Sequence, residues 1–113
     1  MATLALSTIV DAGTEPTYVA ASAADLAPIG SGHNTFVAYK NTDANIKTLT
    51  ITSYDVSDNG DTQSPHVVSL PATTGFVKIP LRKSYDDGTG YAHIAVTGTG
   101  GVTGVSVYVA VVN

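Results

Sequence analysis

The chain has no cysteine, no tryptophan and one methionine. Without cysteine it can form neither disulfides nor thiolate metal sites, and its redox compartment is left open. Charge is sparse: 12% of the 113 residues, nine acidic and five basic, for a net charge of −4. Nucleic-acid binders carry a clustered basic face, and Lys40, Lys47, Lys78, Arg82 and Lys83 are too few and too scattered along the sequence to build one. Direct nucleic-acid contact is therefore not expected. No apolar run approaches the length needed to span a bilayer, so no membrane partner is expected either. Residues 1–10 are mildly apolar but lack the basic start of a secretory leader, and no export signal is expected.

What is present is patterned. Hydrophobic residues reach 43%, with valines and threonines in alternation, which sets the chain apart from a disordered Gly/Ser/Thr-rich segment. At 113 residues it is one domain. A chain of this length buries roughly two-thirds of the surface its unfolded form exposes, enough for one core without staples.

The stretch from Thr35 to Asn41 and the one from Ile46 to Tyr54 organise the reading. Both are rich in β-branched and aromatic residues, and in the second Leu49 and Ile51 alternate with Thr48, Thr50 and Thr52. A period of two sends the aliphatics to one face of a sheet and the threonines to the other. The break at residues 42–45 has turn chemistry, so the two stretches read as a β-hairpin. Residues 1–16 read as an N-terminal arm or first strand, and residues 17–113 as the β-domain. Residues 17–20 are a short strand. Residues 21–27 are the only stretch with appreciable helix propensity, limited by Pro28 to one helical turn or a loop.

Further on, residues 66–70 and 75–79 are strands flanking a turn at residues 71–74, and Pro80 belongs at a strand end or sheet edge. Residues 85–90 are a turn leading into the strand 91–97, and the glycines of residues 98–101 reverse the chain into the last strand. There Val105, Val107, Val109 and Val111 point one way, and Ser106, Tyr108 and Ala110 the other. Each buried Val contributes on the order of 1.5 kcal/mol, so this row should hold the C-terminal strand in the core. Strands at this spacing indicate a sandwich or barrel. The expected fold is all-β, a single-domain antiparallel β-sandwich of about eight short strands, jelly-roll or Ig-like Greek key.

Reactive constellations are weak. Residues 55–60 approach the calcium-loop pattern D-x-[DN]-x-[DN]-G, but Ser57 stands at one ligand position and His66 where a bidentate Glu belongs. His33, His66 and His93 fall in separate segments without short ligand spacing. His93 shares a strand face with Tyr91 and Ala95, the ordinary place for a half-exposed strand residue. No serine lies in a G-x-S-x-G elbow, and the glycine stretches at residues 30–32 and 98–101 lack the Lys of a phosphate loop. Asp86 and Asp87 are turn neighbours. Catalytic residues, metal ligands and cofactors are thus all expected to be absent, and the chain is not expected to be an enzyme. Six tyrosines against two phenylalanines suit either packing on a thin sandwich or a protein contact, with Tyr85, Tyr91 and Tyr108 as candidates.

Taken in order, residues 32–41, then 48–52, the Leu70-Pro71-Ala72 turn, Ile79-Pro80-Leu81, residues 85–91 ahead of Ile94-Ala95-Val96, and residues 103–107 resemble a family. It is the small capsid decoration (cement) proteins of tailed bacteriophages. The resemblance covers most of the chain from Tyr18 onward. It implies a β-sandwich on the outer surface of the capsid of a virion assembled in a bacterial cytoplasm. It also implies a structural role in stabilising the shell, with the major capsid protein as partner and copies of itself as further partners in a trimer or other homo-oligomer. No capsid-contact residue is carried over from the family. The interface candidates come from the residues themselves: Leu4, Leu6 and Ile9, as an arm laid on a neighbour, and the three tyrosines. The alternatives are another virion β-module of the tail or head-completion type, or a calcium- or carbohydrate-binding sandwich using Asp55, Asp58 and Asp61.

Overall fold

The computed structural model describes residues 2–10, 13, 17–30, 34–54 and 64–112. Alternation of apolar and polar side chains sets every long strand. Thr35–Asn41 (β5) turns Val37, Tyr39 and Asn41 inward. Lys47–Ile51 (β6) turns in Leu49 and Ile51, and Val105–Val112 (β10) turns in Val105, Val107 and Val109. The remaining strands are Ala2–Thr3 (β1), Leu6–Ile9 (β2), Val19–Ala20 (β3), Ala24–Pro28 (β4), His66–Leu70 (β7), Gly75–Pro80 (β8) and Tyr91–Gly98 (β9). One 3-10 turn spans Lys83–Tyr85.

The strands form two sheets, β1-β4-β9-β6-β7 and β2-β10-β5-β8. Strand β10 pairs with β5 along one edge from Val105 to Val111. Its other edge takes β3 at Ser106 and Val107 and β2 from Val109 to Val112, end to end. Without the two N-terminal strands the orders are β3-β10-β5-β8 and β4-β9-β6-β7, antiparallel throughout. That arrangement of eight strands is a jelly roll, so the expected antiparallel β-sandwich is what forms. Strands β1 and β2 are parallel additions to β4 and β10. Between them the chain passes from one sheet to the other at Leu4, which is buried in the core and donates its N–H to Leu26 O at 2.8 Å.

Two local expectations are corrected. The stretches Thr35–Asn41 and Lys47–Ile51 are not a hairpin: β5 lies in one sheet and β6 in the other. Residues 42–46 carry the chain between layers because Asn41 and Lys47 both turn inward and are fully buried, which closes the end of the sandwich instead of continuing one pleated surface. The same crossing joins β7 to β8 and β9 to β10. Nor do residues 21–27 form a helical turn. Asp25 and Ala27 alternate inward with Ala24, Leu26 and Pro28 outward, and β4 pairs with β9 from Ala24↔Ala95 to Pro28↔Tyr91. Register against a neighbouring strand overrides alanine's helical preference, which a stretch this short cannot express alone.

The loop crossings demand glycine at one point in particular. Gly104 has φ +74°, and a Cβ there would lie 2.8 Å from Asp43 N. The β9–β10 loop is thus pressed against the β5–β6 crossing, with Thr42 N–H donating to Gly104 O at 3.0 Å.

Candidate functional site

Three groupings of polar and aromatic side chains stand out. The first lies at the Asn41 end of the sandwich. Lys47 is wholly buried, and its ammonium bonds Asp43 Oδ2 at 2.8 Å and the Thr99 carbonyl. The bond from Lys47, then one from Asn45, holds the Asp43 carboxyl below the ordinary carboxylate range. Asn41 donates to Asn45 O and Pro71 O at 2.9 and 3.0 Å and accepts from Asp43 N–H at 3.0 Å. Every partner is a loop group of the same chain. The cluster ties the ends of β5, β7 and β9 together and presents no free acid or base.

The second lies around the turn before β9. Asp86 Oδ1 accepts from the N–H groups of Gly88 and Gly90, both at 2.9 Å. Asp87 Oδ1 accepts from Thr89 N–H at 2.8 Å and Thr89 hydroxyl at 2.5 Å, while its Oδ2 lies 2.6 Å from His93 Nε2. These bonds, those from Thr89 first, hold the Asp87 carboxyl well below the usual range. Tyr54 meets the His93 ring edge-on at 6.0 Å, and His66 stacks on Tyr85 at 6.3 Å. An Asp–His pair recurs in hydrolytic triads, but there the histidine faces a nucleophile. Here the Thr89 hydroxyl bonds the aspartate and so serves the turn. Among the described residues, no group of three or more His, Cys, Asp or Glu side chains could hold a metal ion. His33 and the acidic stretch with Asp55, Asp58 and Asp61 lie outside the described residues.

The third grouping is the outer face of the β2-β10-β5-β8 sheet. The positions between the inward residues point outward: Phe36, Ala38 and Lys40 on β5, Phe76 and Lys78 on β8, Tyr108 and Ala110 on β10. Three of these are aromatic where a solvated sheet face ordinarily carries polar residues. Tyr18, from the segment before β3, folds over them. It meets Tyr108 edge-on at 4.8 Å and Phe76 at 6.5 Å, and Tyr108 in turn meets Phe36 at 6.0 Å. The rings bury Ala38, Tyr108 and Ala110 in a second small apolar cluster outside the sandwich, which Ile9 of β2 joins. Burial, and then the neighbouring Tyr108, push the Tyr18 phenol above its ordinary pKa.

Two lysines lie over these rings. Lys40 Nζ is 5.5 Å from the Tyr18 centroid, and Lys78 Nζ is 5.5 Å from Phe36 and 5.8 Å from Phe76, within cation–π range. Phe76 stays 49% exposed, and Val112, at the far end of the face, 47%. Beyond Phe36 the surface dips into a hollow of about 380 Å³ walled by Phe36, Pro80, Leu81, Arg82 and Val112.

The six interface candidates fall in different places. Leu4, 5% exposed, is part of the main core, and Tyr108, 7% exposed, lies under Tyr18, so neither has much side chain left for a partner. Ile9 packs into the outer cluster; Leu6 is exposed on β2. Tyr85 is half-buried against the core beside His66, and Tyr91 is half-buried on the outer face of the other sheet. The structure brings Ile9 and Tyr108 together and leaves the others apart. Reading the sequence for single residues missed Tyr18, Phe36 and Phe76 as a group. The signal was there: Phe36 and Phe76 occupy the polar phase of two strands that each also carry a lysine two or four residues on.

No family model, no curated protein and no solved structure matches this chain. No helix among the described residues is long and apolar enough to cross a membrane.

Proposed function

We propose that this protein is a structural component of a tailed-phage head, a decoration module that binds the outer surface of the capsid shell and stabilises it. The observation that carries the reading is the contrast between its polar and apolar groupings. The acids among the described residues are bonded within the chain, while one sheet presents a ring-rich outer surface to solvent. A body of that kind suits docking better than chemistry, and we read it as a non-enzyme without cofactor. The order of strand and turn motifs that resembles decoration proteins supports the same role, with the major capsid protein as partner. Repetition over a symmetric shell multiplies a modest interface per copy, so a strong single contact is not required.

Co-sedimentation with empty heads of the phage that encodes it tests the reading, with head stability to heat measured alongside. Saturable binding at a fixed number of copies per head, and a raised disruption temperature, are expected. Failure to bind heads, or labelling of the tail in electron micrographs, overturns it.

A further inference from the structure

Among the described residues, the outer face of the β2-β10-β5-β8 sheet carries charge of one sign. Of the five basic residues, Lys47 is buried against Asp43 and Lys83 sits in the 3-10 turn. The other three are exposed: Lys40 and Lys78 on this face, and Arg82 at its rim, where it lines the hollow. The four acids among the described residues lie elsewhere, and each is already bonded: Asp25 to Tyr39, Asp43 to Lys47, Asp86 to Gly88 and Gly90, Asp87 to Thr89 and His93. Among the described residues, cations without acids therefore gather around the exposed aromatic surface.

We propose, building on the head-binding reading above, that this face is where the chain docks, and that its occupant is an acidic segment of the shell protein. Carboxylates of that segment meet Lys40, Lys78 and Arg82, and an apolar side chain beside them enters the hollow between Phe36, Pro80 and Val112. Charge complementarity selects this occupant. The described acids of a second copy are each bonded within their own chain, which favours an occupant whose carboxylates are unengaged. A nucleic acid would find three cations where its binders commonly neutralise about six to ten phosphates. Rings flanked by cations suit a protein partner, since aromatic residues anchor the centres of such interfaces and rim charges set orientation and on-rate.

The test uses the full chain with Lys40→Glu/Lys78→Glu, with Arg82→Glu, and with Val67→Lys on the other sheet as a control. A milder Lys40→Gln/Lys78→Gln variant stands in if the charge reversal unfolds. Affinity for empty heads is measured by sedimentation across a salt series, with each variant's thermal midpoint checked. Wild-type binding should weaken as salt rises. The double reversal should bind at least about tenfold more weakly, Arg82→Glu several-fold, and the control within twofold of wild type. Wild-type binding that survives the double reversal overturns the docking face and leaves the head reading intact; absence of wild-type binding overturns the head reading itself. Two further results overturn the acidic-segment occupant: self-association of the wild type that Lys40→Glu/Lys78→Glu abolishes, which assigns the face to a second copy, and binding of a single-stranded oligonucleotide that the same variant abolishes.

Discussion

The Tyr39 phenol donates a 2.9 Å hydrogen bond to Asp25 Oδ2, joining β5 of one sheet to β4 of the other through the interior of the sandwich. Tyr39 is fully buried and Asp25 is 1% exposed. The other carboxyl oxygen of Asp25 accepts from Ser22 N–H at 3.2 Å, with the Ser22 hydroxyl 2.8 Å away. This polar link crosses the interior, whereas the polar tie between the layers around Asn41 and Lys47 closes the end of the sandwich. Removing the phenol oxygen leaves a buried carboxyl short of a donor. Tyr39→Phe should therefore lower unfolding free energy by about 1–3 kcal/mol, read by urea denaturation, despite conserving the ring.

The same residue predicts alkaline behaviour. Burial first, then the Asp25 carboxylate, push the Tyr39 phenol far above its ordinary value of 10.0. Above pH 10 the unfolded chain loses this proton while the folded chain keeps it, so the unfolded state binds fewer protons and stability falls as pH rises. The loss is about 1.4 kcal/mol per pH unit for such a group. Tyr18, shifted the same way, adds to it. Tyr39→Phe should flatten the decline in unfolding free energy between pH 10 and 12.

Acid acts through two other groups. Asp43, held down by Lys47, and Asp87, held down by Thr89, stay ionised in the fold at pH values where the unfolded chain takes up protons. Their stabilisation is complete above the ordinary carboxylate value of 3.8 and is lost as pH falls through their lowered folded values. Asp43→Asn and Asp87→Asn should each make the thermal midpoint less dependent on pH below about 4, and the double variant least dependent of all.

The N-terminal strands offer a contrast between neighbours. Leu4→Ala removes a core side chain where the chain changes sheets and should cost about 2–4 kcal/mol. Leu6→Ala, two residues on and exposed, should stay within about 0.5 kcal/mol of wild type. Equal losses at both positions would contradict the placement of Leu4 in the core.

Much of this architecture is legible in the alternation of the sequence. Val105, Val107 and Val109 of β10 and the Thr48 and Thr50 phase of β6 fix which faces turn inward, while Val111 near the strand end is only half-buried; the glycine and proline turns mark where strands stop. Alternation does not say which strands share a sheet. A turn between β5 and β6 looks the same whether it closes a hairpin or crosses layers; what decides is the burial of Asn41 and Lys47, polar residues whose partners at Pro71 and Thr99 lie far away in sequence. The Asp25–Tyr39 link is hidden for the same reason, since only pairing through the core brings the two together. The outer aromatic cluster was half legible: Phe36 and Phe76 break the polar phase of their strands, but Tyr18 reaches them only because β3 adds to the edge of β10.

A density map of empty heads mixed with the wild-type protein tests the central claim most directly. The account predicts an added body of about 42 × 38 × 20 Å outside the shell, with the Phe76, Lys78 and Arg82 face toward the capsid protein. Heads without added density, or a body docked through the Thr48, Thr50 and Thr52 face of the opposite sheet, would contradict it.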